Sequence, residues 1–533
     1  MWRTTMIALC LTACGSQPGA GKSPLPTSPA ASSGSSSASS SDPSSDPSSN
    51  SPIGHTDSGS MPDGENILAD VLAMNGEEYG APQSTFRAGH VTPRQSPQVK
   101  RTKNGFEVKL ASNAPVTTPA VYSNRVYVSG GFHSREFYAL EAKTGQPVWS
   151  IALDDDGPSS PVCADNVCVF NTESCTVFAV DARTGKMLWS WWLGDPLTSA
   201  PTIAGGRVFT SYPAGAAEGG KQRPPRATHA LIAFDLATGK IQWQKWLEGD
   251  VISAPVASGE FVYVSTFAGA IMKLEQATGK IRYAMRARAT SAPVVDFRSG
   301  RESMYYTRRG EADEEADGAQ EMIIRADDNE PKTRYKARSK KAGYLDKNVQ
   351  RESSHAKKGK DEDSANGFGG GAPSSAKADF AEEIVGQGSV STMQAFQGSR
   401  ILHLGDSNVN TMGDEVVGTN AETGVTVWTY KLAGNLAHEG GALGTAPLSA
   451  GKSVLFATLV GDVIRLDPRD GKVQATYKTG ARVRSQPVVA DGWIYIGTED
   501  GRLIAVNTGD TGLTGWPMWG GNAARTGIST LAR

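Results

Sequence analysis

One phrase recurs along this chain: a small residue and Pro, a hairpin, a strand ending in an acidic residue, then Thr-Gly and Trp. Its clearest copies run from Ser160-Pro161 through Asp181 and Thr184-Gly185 to Trp189, and from Ala200-Pro201 through Asp235 and Thr238-Gly239 to Trp243. Further copies begin at Pro119, Pro255, Pro447 and Pro487. A repeat of about 40 to 45 residues holding several short strands is the signature of propeller blades packed radially.

The spacing inside each copy sets the strand register locally. Two turn residues stand fourth and fifth after the Pro in every copy: Ser123-Asn124, Asp165-Asn166, Gly205-Gly206, Gly259-Glu260, Gly451-Lys452 and Asp491-Gly492. Gly, Asn and Asp tolerate the positive φ that a tight two-residue hairpin requires. Alternating apolar residues flank the turns, as at Val126 and Val128 or Val262 and Val264, and a third strand follows, such as Phe178-Ala179-Val180. Two weaker copies start at Ala292-Pro293 and near Met393, the latter with a turn at Gln397-Gly398 and Thr423-Gly424 leading to Trp428. The expected fold is therefore all-β: an eight-bladed β-propeller of four-stranded antiparallel blades. Phe106 to Leu110 precedes the first Pro as each Trp-bearing strand precedes the later ones, so it is expected as the outermost strand of the eighth blade, closing the ring.

Outside the repeats the chain changes character. Arg3, the apolar run Met6 to Leu11 and then Leu11-Thr12-Ala13-Cys14 resemble a bacterial lipoprotein signal, which implies a signal peptide over 1–13 and a lipid on Cys14; Cys10, with Leu before it, fits less well. Residues 14–64, dominated by Ser, Pro, Gly and Asp, bury too little apolar surface to order and are expected to be a disordered tether. The propeller is expected over 86–527, interrupted in blade five by a disordered low-complexity insertion over 310–383. The formal net charge of −2 gives no electrostatic reason to expect a nucleic-acid partner.

Of the five Cys, three fall in one copy. With Asp165-Asn166 as the turn, Cys163 faces Cys168 in a non-hydrogen-bonded pair, where Cα atoms approach to about 4.5 Å, so these two are expected to form a disulfide, with Cys175 as a competing partner. Trp149, Trp189, Trp243 and Trp428 recur with the period and are expected to be structural, since a site is rarely built eight times; Tyr283 and Tyr477 are expected at the same position. Asp406, Asn408, Asn410 and Asp414 cluster near one hairpin, as candidate carboxylate and amide ligands of a bound cation and cofactor or, on the plainer reading, as an ordinary polar turn. His403 and His438 lack a third ligand at metal spacing, so no metal site is expected. No nucleophile elbow, phosphate-cradling Gly loop or C-x-x-C-H is present.

The copies resemble the pyrroloquinoline quinone (PQQ) repeat, Ala-Leu-Asp-x-x-Thr-Gly-x-x-x-Trp, shared by quinoprotein dehydrogenases and BamB-type propeller lipoproteins. Trp516-Pro517-Met518-Trp519-Gly520-Gly521-Asn522-Ala523-Ala524-Arg525-Thr526-Gly527 is similar to a segment flanking such propellers, with a fainter echo at Phe86 to His90; both are expected to help close the ring. The resemblance implies one of two functions. The first is a non-catalytic protein-binding scaffold, lipid-anchored in the bacterial envelope at the periplasmic or surface face of the outer membrane, acting in outer-membrane protein assembly or at the cell surface, with protein partners and no cofactor. The second is an alcohol or sugar dehydrogenase using PQQ and calcium. The adjacent Cys pair common in those enzymes is absent here.

Overall fold

In a computed structural model of the chain the described residues are 65–84, 89–131, 134–172, 176–193, 199–287, 289–298, 301–309, 320–326, 332–337, 400–436 and 442–529. Their strands pair into eight antiparallel sheets of four or five strands. In chain order these blades span 120–153, 162–192, 202–247, 256–286, 294–337, 402–431, 448–478 and 488–507, the last completed by Gly105–Lys109. Seven are described with their side chains throughout; in the sheet at 294–337 the outer two strands are described by backbone alone. Each blade neighbours the next, and Tyr495 of blade eight donates to the Ala142 carbonyl of blade one at 3.0 Å, so the fold is a closed propeller.

The two-residue turns form as their residues dictate. Tyr122 pairs with Arg125, Ala164 with Val167 and Ala490 with Trp493, and both turn residues between them take positive φ. At Gly259-Glu260 and Gly451-Lys452 the glycine alone does so, which is why these pairs accept Glu and Lys in second place.

Three expectations are corrected by the pairing. Blade six turns at Gly405-Asp406, since His403 pairs with Asn408; Ile401 stands where other copies have Pro, which hid the register, and Gln397-Gly398 lies outside the described residues. Two strands of blade five, Gln320–Ala326 and Lys332–Ala337, fall within 310–383, the range expected as an insertion, and the rest of that range lies outside the described residues. Gly105–Lys109 pairs with Arg502–Asn507 and so completes blade eight, but Val99–Thr102 pairs outside it. Finally, Tyr283 sits four residues after Gly279 in the Trp position, whereas Ala475 fills that place after Gly471 and Tyr477 lies two residues beyond.

The repeated Trp and Thr-Gly lock neighbouring blades together. Trp189 donates its indole N–H to Leu236 O of the following blade at 2.9 Å; Trp149, Trp243 and Trp428 do the same to Ala182, Gln276 and Pro468. Each ring lies over the turn Gly of the next blade, part of Thr-Gly in three cases and of Asp470-Gly471 in the fourth: a Cβ on Gly185, Gly239, Gly279 or Gly471 would stand 2.6–2.8 Å from Trp149, Trp189, Trp243 or Trp428. Phe106 takes this role over Gly145, so the closing strand carries an aromatic where blades one, two, three and six carry Trp. The period thus encodes blade-to-blade packing.

The Asp before Thr-Gly ties the turn. Asp235 accepts from the Thr238 hydroxyl at 2.6 Å and the Thr238 amide at 2.9 Å, and these bonds hold its carboxyl below the ordinary value. A depressed carboxylate contributes stability above its unfolded value, about 3.9, and loses it as pH falls through the folded value. Asp235→Ala is expected to cost about 1 kcal/mol at pH 7, a gap in thermal midpoint that narrows below pH 4; a gap unchanged at pH 3 would contradict this.

Cys163 and Cys168 are disulfide-bonded across the first hairpin of blade two, with Cα atoms 4.1 Å apart. Closing so small a loop stabilises by about 2 kcal/mol on chain entropy. Alkylation of the unfolded, unreduced chain is expected to leave these two cysteines unlabelled, and labelling of both would refute the bond. Cys14, Cys10 and Cys175 lie outside the described residues.

A belt formed by 65–109 wraps the outside. Glu65–Asn66 extends blade four; Leu68–Met74, a short helix, buries Val71 against blades three and four. Asn75 and Pro82 bond the outer strand of blade three, Gly89 N donates to Ser190 Oγ of blade two at 2.6 Å, and Val91–Pro93 extends blade one. Val99–Thr102 then covers blade eight. Among the described residues no strand is added to the outer edges of blades six and seven, Thr426–Lys431 and Val473–Lys478, where Val427 and Val473 are exposed.

Candidate functional site at the propeller axis

In a propeller the innermost strand of each blade turns one row of backbone N–H and C=O groups toward the axis, and groups left unpaired there, away from water, are costly. Here the segment Trp516 to Ser529 satisfies many of them. Val489 N donates to Trp516 O at 2.8 Å, Val121 N to Pro517 O at 2.6 Å, Ile203 N to Ala523 O at 2.9 Å, Ala257 N to Ala524 O at 2.9 Å and His403 N to Gly527 O at 2.9 Å. These donors belong to blades eight, one, three, four and six, and each is the second residue after the Pro position of its copy. Ser529 Oγ reaches Ser449 Oγ of blade seven at 2.7 Å. The chain therefore fills its own axis.

The segment folds tightly because its residues permit repeated reversals. Gly520, Gly521, Arg525 and Gly527 all have positive φ, and a Cβ on Gly521 would stand 2.9 Å from the Trp516 ring. Arg525 adopts φ 53° and is held there by its guanidinium, whose Nε donates to Pro201 O at 2.7 Å, Nη1 to Trp519 O at 3.0 Å and Nη2 to Ser160 O at 3.3 Å. It thereby ties blades two and three to the axis. Gln486 Oε1 accepts from the Trp516 indole at 3.1 Å while its amide donates to Ala446 and Pro447 carbonyls, joining blades eight and seven.

Blade six departs from its siblings. At positions where the other blades whose second strand keeps this spacing place Val, Cys, Phe, Thr or Ile, it places Asn408 and Asn410, buried at 0% and 1% exposure. Asn408 Oδ1 meets His403 Nδ1 at 2.7 Å, and His403 Nε2 meets Asp296 of blade five at 3.2 Å beneath the stacked Tyr305 ring. The amide nitrogen of Asn408 and both polar atoms of Asn410 have no partner. Of the four residues read as one polar turn, the structure joins Asn408 to His403 but puts Asp406 and Asp414 at opposite ends of the strand Ser407–Met412. His438 lies outside the described residues. Comparing the copies position by position would have marked Asn408, Asn410 and Arg400 as exceptions; the cluster with Asp296 needed the fold.

Calcium and a carboxylated quinone on the axis would require several oxygens and cations converging from different blades. Among the described residues no group of three or more His, Cys, Asp or Glu side chains is placed to hold a metal ion. The axial backbone N–H groups of Val489, Val121, Ile203, Ala257 and His403 are committed to the chain's own carbonyls.

No curated protein matches the chain. Among solved structures, BamB from Moraxella catarrhalis is similar at 16% identity over 78% of this chain and 97% of that one, with a TM-score of 0.45. Quinohemoprotein alcohol dehydrogenase ADHIIG from Pseudomonas putida HK5 is 13% identical over 83% of this chain and 82% of its own, TM-score 0.45. The quinohemoprotein alcohol dehydrogenase from Comamonas testosteroni is 12% identical over 75% of each, TM-score 0.47. The family model described as outer membrane protein assembly factor BamB matches residues 88–216, 176–314 and 409–531, more than half of the chain. With its repeats, its antiparallel blades and this match, the chain belongs to the BamB-type family of PQQ-like propellers.

Proposed function

We propose that this chain is a non-catalytic scaffold of the bacterial envelope: an eight-bladed ring, counting the sheet at 294–337 as blade five, that works by binding protein partners. Membership of the BamB-type family supports a role in outer-membrane protein assembly and a place at the outer membrane. A lipid on Cys14 would hold it there, with 14–64 as tether. The observation that carries the reading is the self-filled axis, which leaves the outer surface and rim as the working surfaces. The alternative, a PQQ- and calcium-dependent dehydrogenase, would need a converging ligand set that the described residues do not supply.

The belt supports edge pairing as a mode of contact. On blades one, four and eight the fold already accepts an added strand, so an extended partner segment can dock on an open edge by the same backbone hydrogen bonds. Blades six and seven offer such edges. Capture of the purified outer-membrane assembly machine by the tethered chain is expected to weaken about tenfold in a Val427→Lys, Val473→Lys variant whose melting is unchanged. Undiminished capture would remove these edges from the interface, and absence of capture by the unmodified chain would refute the assembly role.

A further inference from the structure

Two guanidinium groups lie buried on the axis with no carboxylate beside them. Arg525 is 0% and Arg400 is 3% exposed, and burial pushes each down to about 9, with the Arg400 charge also lowering Arg525. Both remain cationic at neutral pH. They stand 4.8 and 4.6 Å from the centre of the Trp519 ring. Arg525 spends its donors on three carbonyls, as described above. Among the described residues Arg400 gives Nη2 to the Arg525 carbonyl, while its Nε and Nη1 find no partner, and neither does the indole N–H of Trp519. Burying an uncompensated charge with orphaned donors is among the costliest arrangements a fold can hold.

The repeat does not demand this Arg. At the residue before the Pro position the other copies have Thr118, Ser160, Ala200, Ala254, Ala292, Ala446 and Gln486. If packing over Trp519 were its whole task, an apolar chain would serve without the charge. Gly527, at φ 69°, passes beside Arg400: a Cβ there would stand 2.8 Å from Val294 Cγ2 and in ordinary contact, at 3.6 Å, with Arg400 Nε.

We propose that Arg400, with the Trp519 indole N–H, binds a small monovalent anion of chloride size on the propeller axis, and that this anion compensates the Arg400–Arg525 pair. The site is independent of partner binding, and its burial excludes bulky anions. Chloride, replacing gluconate at constant ionic strength, is expected to raise the thermal midpoint of the unmodified protein saturably. Arg400→Gln is expected to abolish that dependence. Trp519→Phe, which keeps the ring and loses one donor, is expected to raise the half-saturating chloride concentration about tenfold. Should Arg400→Gln not fold, a bromide derivative of the unmodified protein decides directly, with an anomalous peak expected within hydrogen-bonding distance of Arg400 Nε or Nη1. A bromide map without that peak, or chloride dependence that is absent from the unmodified protein or unchanged in either variant, would overturn the proposal.

Discussion

A chain ending at Gly515 is expected not to reach the native fold. Truncation there removes the acceptors of five axial N–H groups, on blades eight, one, three, four and six. Each such group costs about 1–3 kcal/mol when left buried and unpaired. Trp516, Met518 and Trp519, all nearly fully buried, go with it, at about 3–5 kcal/mol for a large core side chain. The sum matches or exceeds the roughly 5–15 kcal/mol that holds a domain folded. Loss of the cooperative thermal transition is the expected reading, whereas a truncated chain melting within a few degrees of the full one would show that the segment merely rests in the channel. A graded version is available at Arg525. Arg525→Ala removes three donors and opens a cavity, for about 4 kcal/mol. Arg525→Met also removes the charge, but fills the space, so part of the loss returns and it should be the milder change.

The second large effect is at the seam between blades two and three. Trp189→Ala is expected to cost about 3–5 kcal/mol, since the ring is buried and its N–H bonds Leu236 O. Gly239→Ala is expected to cost about 2–4 kcal/mol by two routes: φ at Gly239 is 69°, and the new Cβ would stand 2.6 Å from Trp189. The second route vanishes once the ring is gone. The double variant should therefore be less destabilised than the sum of the singles by at least about 1 kcal/mol, the coupling that defines a direct contact. Strict additivity, read from denaturant midpoints, would mean that the glycine is required by backbone conformation alone.

What could be read from the sequence was what short-range chemistry determines. Turn pairs such as Asp165-Asn166 and Gly205-Gly206 select hairpins by their tolerance of positive φ, and the Thr-Gly to Trp spacing recurs because each blade faces the same neighbour problem. Where a copy lost its landmark the reading slipped: without Pro at Ile401 the register of blade six was misplaced, and charged residues hid the strands at 320–326 and 332–337. The belt was illegible for another reason. Its strands are two to four residues long and unrepeated, and they exist because blade edges are waiting to be paired. The Trp516 to Gly527 motif was recognisable as a flanking element, yet its place on the axis follows from inward-facing N–H groups contributed by residues hundreds of positions apart. Likewise His403 and Asn408 were visible as polar residues, while their junction with Asp296 depends on how blade five packs on blade six.

The central claim is that the axis is occupied by the chain itself and that the molecule works as a scaffold. Incubation of the purified protein with PQQ and calcium, followed by desalting, absorbance and dye-linked oxidation of alcohols and sugars, tests it most directly. No retained quinone and no turnover are expected; stoichiometric quinone with substrate-dependent dye reduction would instead make the protein a dehydrogenase.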